Sequence, residues 1–103
     1  MNEGDPFFRI LCVDDDPSLL QMLCIGFGRH GFEVITASHG IDALMQFQAN
    51  GGNFGTIISD MHMPVMDGIA FVRQVRAMGY EGRILVISGR MSAFDAHAYQ
   101  DTL

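Results

Sequence analysis

The sequence contains no lysine and no tryptophan, and only two cysteines and three prolines in 103 residues. Each shortage excludes something. All six basic residues are arginines: Arg9, Arg29, Arg73, Arg76, Arg83 and Arg90. Against twelve acidic residues they leave a net charge of −6 and a pI near 4.8. Binding to nucleic acid or to an anionic membrane requires a basic footprint, so neither partner is expected for this domain. Cys12 sits in an apolar run and Cys24 in a helical one, without a Cys-x-x-Cys partner, and the four histidines show no zinc spacing. The pair reads as two reduced, buried thiols. The first eight residues lack the apolar stretch of a signal peptide, and no apolar run reaches the length of a membrane span. A cytoplasmic protein is expected.

What is present points to a folded α/β chain. Apolar residues make up 49% and the mean hydropathy is +0.21, enough for the core of one small domain spanning residues 1–103. Short apolar runs alternate with helical stripes. Ile10-Leu11-Cys12-Val13 is apolar without alternation, which suits a strand buried on both faces. Asp16 before Pro17 predicts a helix start, with Leu19, Leu20, Leu23, Cys24 and Phe27 at helical spacing and Gly31 closing it. Further strands are expected at 32–37, 56–59 and 84–87. Helices are expected after Gly40 and over 68–78. Ser92 with Asp95 resembles a capping box opening a last helix through Ala98 and Tyr99. The order βαβαβαβα implies a doubly wound parallel sheet, which binds ligands beyond the carboxyl ends of its strands.

Two of those strands end in acids, Asp14 and Asp15 after the first and Asp60 after the third. If the strands are neighbours, three carboxylates converge, and their repulsion is relieved by a hard divalent cation. A metal beside a carboxylate also makes a phosphoryl-transfer site. Asp16 reads instead as a helix cap.

At this point the chain resembles the receiver domain of two-component response regulators. Three motifs carry the likeness. They are Ile10-Leu11-Cys12-Val13-Asp14-Asp15-Asp16, the string from Ile57 through Asp60-Met61-His62-Met63-Pro64-Val65-Met66-Asp67-Gly68, and Ile84-Leu85-Val86-Ile87-Ser88-Gly89. The resemblance implies a flavodoxin-like sheet of order 2-1-3-4. It implies Asp60 as phosphoacceptor from a histidine kinase or histidine phosphotransfer protein, and Mg²⁺ held by Asp14, Asp15, Asp60 and the backbone carbonyl of His62. Ser88 would be the hydroxyl that reports phosphorylation. Such a domain is a phosphoacceptor and not an enzyme, beyond slow self-catalysed phosphotransfer and dephosphorylation.

The chain also departs from the family pattern. It ends inside what the resemblance makes the fourth helix, so a fifth strand and fifth helix are expected to be missing. With them would go the lysine that binds phosphoryl oxygens, and Tyr99 would lie in the wrong element to act as the mobile aromatic. Arg90, two residues past Ser88, is weighed as a substitute phosphate ligand against a solvated loop residue. Without a fifth strand the fourth would present an open edge, through which a homodimer is expected. Two other functions compete with the phosphoacceptor. One is a phosphorylation-impaired receiver-like module acting through protein binding. The other is an aspartyl-nucleophile phosphatase, ranked last because His62 stands where that chemistry wants an acid.

Overall fold

The computed structural model describes residues 5–88 and 97–101. The apolar run Arg9–Val13 forms β1, the centre of the sheet, with β2 (Glu33–Ala37) on one side and β3 (Thr56–Asp60) on the other. Both neighbours are parallel to it, with Val13 opposite Ala37 and also opposite Ser59. β4 (Arg83–Ser88) adds in parallel to β3, giving the expected order β2-β1-β3-β4.

Because side chains alternate along a strand, β1 feeds two cores. Leu11 and Val13 join Ile57, Ile84 and Val86 under α2 (Gly40–Ala49) and α3 (Gly68–Ala77), where Ala43, Phe47, Phe71, Val72 and Val75 are buried. Ile10, Cys12 and Ile58 face the other way, against Leu20, Leu23 and Phe27 of α1 (Pro17–Gly28). The helix starts follow from local chemistry. The Asp16 side chain accepts from the Ser18 and Leu19 amides ahead of Pro17, and Asp67 caps α3 by accepting from the Ala70 amide at 2.8 Å. Past the end of α1, Gly31 takes a left-handed φ of 86°, which a residue with a Cβ adopts at a cost.

The chain's last described segment corrects two expectations. Residues 97–101 are not helical. They form β5 (His97–Asp101), antiparallel to β4, with Ser88 opposite His97 and Ile84 opposite Asp101. The capping box at Ser92 and Asp95 lies outside the described residues. The reason for the strand is hydrogen-bond demand. A helix of about a dozen residues is marginal by itself in water, whereas the outer edge of β4 offers a full row of unpaired N–H and C=O groups. An antiparallel return needs no crossover helix. The open β4 edge expected to hold a homodimer together is therefore covered from within the chain, and that basis for dimerisation falls away.

One glycine ties α3 to the sheet. Gly68 donates its N–H to the Met61 carbonyl at 2.9 Å. A Cβ there would collide with the Asp60 carbonyl oxygen and lie 2.8 Å from the Met61 Cα. Gly68→Ala is expected to destabilise the protein by about 2 kcal/mol, as overpacking against backbone does. The thermal midpoint would then fall by roughly 10 °C, and an unchanged midpoint in thermal denaturation would show that the backbone under Asp60 can yield.

Candidate functional site

The sheet brings the acids together as a direct result of strand order. Asp14 follows β1 and Asp60 ends β3, and the two strands are adjacent although α1, β2 and α2 separate them in sequence. One carboxylate oxygen from each of Asp14, Asp15 and Asp60 lies within 4.8 Å of the others. Asp60 is buried, with 7% of its surface exposed, while Asp14 and Asp15 are half-buried at the rim.

Backbone groups hold these side chains in place. The Asp14 amide donates to the Ala37 carbonyl at 3.1 Å, continuing the β1–β2 ladder one residue past the strand. The Asp14 carboxylate accepts from the Asp16 amide at 2.8 Å. Asp60 Oδ1 accepts from the His62 amide at 3.2 Å, and the Met61 amide donates to the Ile87 carbonyl at 2.9 Å. Two of these amides belong to the loop that leads from Asp60 into α3. A chain of ladder and loop bonds thus fixes the exit from β3.

The same loop contains a strained turn. Val65 has a φ of 71°, and the Met66 amide donates to the Pro64 carbonyl at 2.8 Å across it. A bond between residues two apart around a left-handed centre is a γ-turn of the rare, strained hand. A β-branched residue is a poor occupant of it. Val65 gains little in return, because 89% of its surface is exposed. Met66 is tied down beyond the turn by contact with α2, since a Cβ on Gly40 would lie 2.7 Å from the Met66 Cβ.

Burial is the main electrostatic influence on Asp14. Desolvation raises its pKa above the ordinary 3.8, the Asp16 amide partly offsets this, and the Asp60, Asp15 and Asp16 carboxylates raise it further. An octahedral Mg²⁺ site uses oxygen donors at about 2.0–2.1 Å and keeps several waters. The set found here is all-oxygen and anionic, with one oxygen of each carboxylate within 4.8 Å of the others. The residues present fit that metal. Imidazole would suit a softer ion, and the His62 side chain is exposed to solvent.

The other residues singled out from the sequence divide as follows. His62 adjoins Asp60 through its backbone. Ser88 ends β4 next to Ile87, the residue opposite Asp60 in the ladder. Arg90 lies outside the described residues. Tyr99 belongs to a strand and not a helix, opposite Val86 and two ladder positions from the Ser88 edge. Cys12 is fully buried, and desolvation pushes its thiol up to about 12, so it is an inert core residue. Sequence reading missed the His62 amide, because a backbone donor leaves no residue-type signal. It also missed the left-handed turn at Val65, for which Met63-Pro64 signals only that the chain bends.

A parallel α/β sheet of order 2-1-3-4 with three carboxylates at its carboxyl edge defines a doubly wound fold with an acidic site. The receiver domain model of response regulators matches residues 10–102, and the chain belongs to that family. The transcriptional regulatory protein PrrA of Mycobacterium tuberculosis is 39% identical over 95 residues, covering 92% of this chain and 40% of PrrA. The alkaline phosphatase synthesis transcriptional regulatory protein PhoP of Bacillus subtilis is 33% identical over 87 residues, covering 84% of this chain and 35% of PhoP. The chain thus spans at most two-fifths of the length of these relatives. Among solved structures, the chemotaxis protein CheY4 of Vibrio cholerae superposes with a TM-score of 0.73 at 38% identity, covering 84% of this chain and 72% of CheY4. The response regulator TrrA of Thermotoga maritima, solved in complex with Mg²⁺ and beryllofluoride, gives a TM-score of 0.71 at 30% identity, covering 84% of this chain and 73% of TrrA.

Two outcomes are expected from this geometry. An acid whose pKa is raised by folding stabilises the fold below its unfolded pKa and loses that contribution as pH rises through the folded value. Asp14→Asn is therefore expected to raise the metal-free thermal midpoint at pH 7, with the advantage vanishing near pH 4, and to weaken divalent-ion binding. A lower midpoint at pH 7 in the variant would contradict the burial argument. Val65→Gly is expected to stabilise the fold by about 1 kcal/mol, the relief of turn strain less the entropy of glycine, and urea unfolding of the two proteins measures it.

Proposed function

We propose that this receiver domain is a Mg²⁺-dependent phosphoacceptor, phosphorylated on Asp60 by a histidine kinase or histidine phosphotransfer protein. The observation that carries the proposal is the meeting of the buried Asp60 with Asp14 and Asp15 at one sheet edge, their oxygens within 4.8 Å of each other. Asp14, Asp15, Asp60 and the His62 carbonyl are the groups assigned to Mg²⁺. When bound, the ion would neutralise the phosphoryl oxygens as charge builds on them.

The protein's own part is orientation. The His62 amide holds Asp60 Oδ1, which fixes the plane of the carboxylate and leaves Oδ2 to attack phosphorus. One O–P bond forms as the P–N bond of the donor phosphohistidine breaks. The donor imidazole leaves with the bonding pair and takes a proton from solvent. No side chain of this domain needs to act as acid or base, which agrees with a phosphoacceptor rather than a hydrolytic enzyme. Ser88, at the end of the adjacent strand, is assigned the hydroxyl that responds to the new phosphoryl group. PrrA and PhoP are transcriptional regulators by description. A transcriptional output for the protein that carries this domain is proposed from them, delivered by a part other than this acidic domain.

With Mg²⁺ and acetyl phosphate, the wild type is expected to gain the mass of one acid-labile phosphoryl group. Asp60→Asn is expected to gain none while keeping its thermal midpoint within a few degrees. Undiminished labelling of Asp60→Asn would overturn the assignment.

A further inference from the structure

Over Pro17–Gly28, α1 carries no charged residue, unlike α2 with Asp42 and α3 with Arg73 and Arg76. Its apolar residues are spread round the helix. Leu20, Leu23 and Phe27 pack on the sheet. Met22 and Ile25 point the other way and keep 67% and 50% of their surface exposed. No residue of α1 is buried. A helix that is apolar on all sides belongs between two packed layers. Here one layer is the sheet, and the outer face meets solvent.

That outer face has a definite pattern. Ser18, Met22, Ile25 and Arg29 recur at helical spacing, so they form one stripe along the helix, and all four are exposed. Beside the stripe, Met22, Leu23, Gly26, Phe27 and His30 line a depression of about 210 Å³. At Gly26 a Cβ would meet nothing within 4 Å. Bare backbone facing open space lets a second helix approach closely.

Opposite charges close the two ends of the stripe. Asp16 precedes it and Arg29 ends it, both exposed. The helix cap uses Asp16 Oδ1, which accepts from the Ser18 and Leu19 amides, so Oδ2 is the oxygen left to face a second chain. Two such helices laid antiparallel about a two-fold axis set Met22 over the partner's Ile25 and Ser18 beside the partner's Arg29. Asp16 is then about 3 Å further along the helix from Ser18, within reach of that guanidinium. Antiparallel macrodipoles favour the same arrangement. No such match exists on α2, where Ile41 and Met45 are exposed but Asp42 is the one charge and the last turn holds no basic residue.

We propose that α1 is a homodimer surface, on which a second copy of this chain packs its own α1 antiparallel, with Met22 and Ile25 of each copy at the centre and an Asp16–Arg29 pair at each end. Such a contact is isologous, so one self-complementary patch serves both copies. A helix about 18 Å long buries less than the roughly 800 Å² a side of a standard interface. The dimer is therefore weak and reversible.

Sedimentation equilibrium of the whole 103-residue chain, from about 10 µM to about 1 mM, is expected to show a monomer–dimer equilibrium of that weak class. Met22→Glu and Arg29→Glu are each expected to raise the dissociation constant about tenfold, because a two-fold contact loses each interaction twice. Both side chains are exposed, so the thermal midpoint is expected to stay that of the wild type. Met45→Glu, on the outer face of α2, is expected to associate as the wild type does. A wild type that stays monomeric at the highest concentration overturns the proposal. So does wild-type association in Met22→Glu or Arg29→Glu, or an equal loss in Met45→Glu. A monomeric chain whose Met22 and Ile25 methyl resonances move only when a histidine phosphotransfer protein is added would give the face to that partner and overturn the second copy.

Discussion

The site depends on one constraint: β1 and β3 must lie side by side and in parallel. The register that sets Val13 opposite Ser59 delivers Asp14 and Asp60 to the same level of the same edge. A slip of one residue would turn Asp60 to the other face of the sheet, and the three-carboxylate cluster would be lost. Burial enforces the register. Leu11, Cys12, Ile57 and Ile84 have no exposed surface, so each strand is clamped on both faces by different helices. The repulsion among the acids is small against the tens of contacts each such core residue makes. The fold can therefore hold a charge cluster that a weaker framework would spread apart.

Between β3 and α3 the chain must turn sharply without disturbing Asp60. Several local devices act together there. The Met61 amide stays in the ladder by bonding Ile87, and the Gly68 amide closes the loop back onto Met61. Val65 takes the strained turn, and Asp67 starts the helix. The strain is concentrated at an exposed position, where it displaces no core side chain. Strained backbone persists where the surroundings over-determine it. Here the ladder bond on one side and the helix cap on the other supply that fixing.

Much of this was legible from residue types, and the parts that were not share a physical cause. The runs ending in Asp14 and Asp60, the Asp16 cap and the helices after Gly40 and Gly68 all announce themselves by composition and spacing. Those signals are local. That β1 neighbours β3 is not a local fact, and it came from the likeness to receiver domains rather than from periodicity. Residues His97–Asp101 show the opposite failure. The spacing of Ser92 and Asp95 suggested a helix, but the unpaired edge of β4 is a tertiary demand that local spacing cannot reveal. The His62 amide and the close approach at Gly68 were invisible for a similar reason: each is a backbone contact, specified by where the chain is and not by which side chain it carries.

The charges are sorted along the strand direction, and on the proposed function this sorting has a consequence. Asp14, Asp15, Asp16, Asp42, Asp60 and Asp67 lie toward the carboxyl edge, while Arg9 and Arg83 begin their strands at the amino edge, where Arg9 pairs with Glu33, and Arg29, Arg73 and Arg76 lie in the later parts of α1 and α3 or past their ends. Opposite charges separated by the length of a strand are largely screened from each other at physiological ionic strength, so the arginines cannot offset the acids locally. An anionic phosphodonor approaching the carboxyl edge meets a negative field, which a divalent cation must first reduce. The order of events then follows from electrostatics: the cation binds, the donor docks, and the phosphoryl group moves.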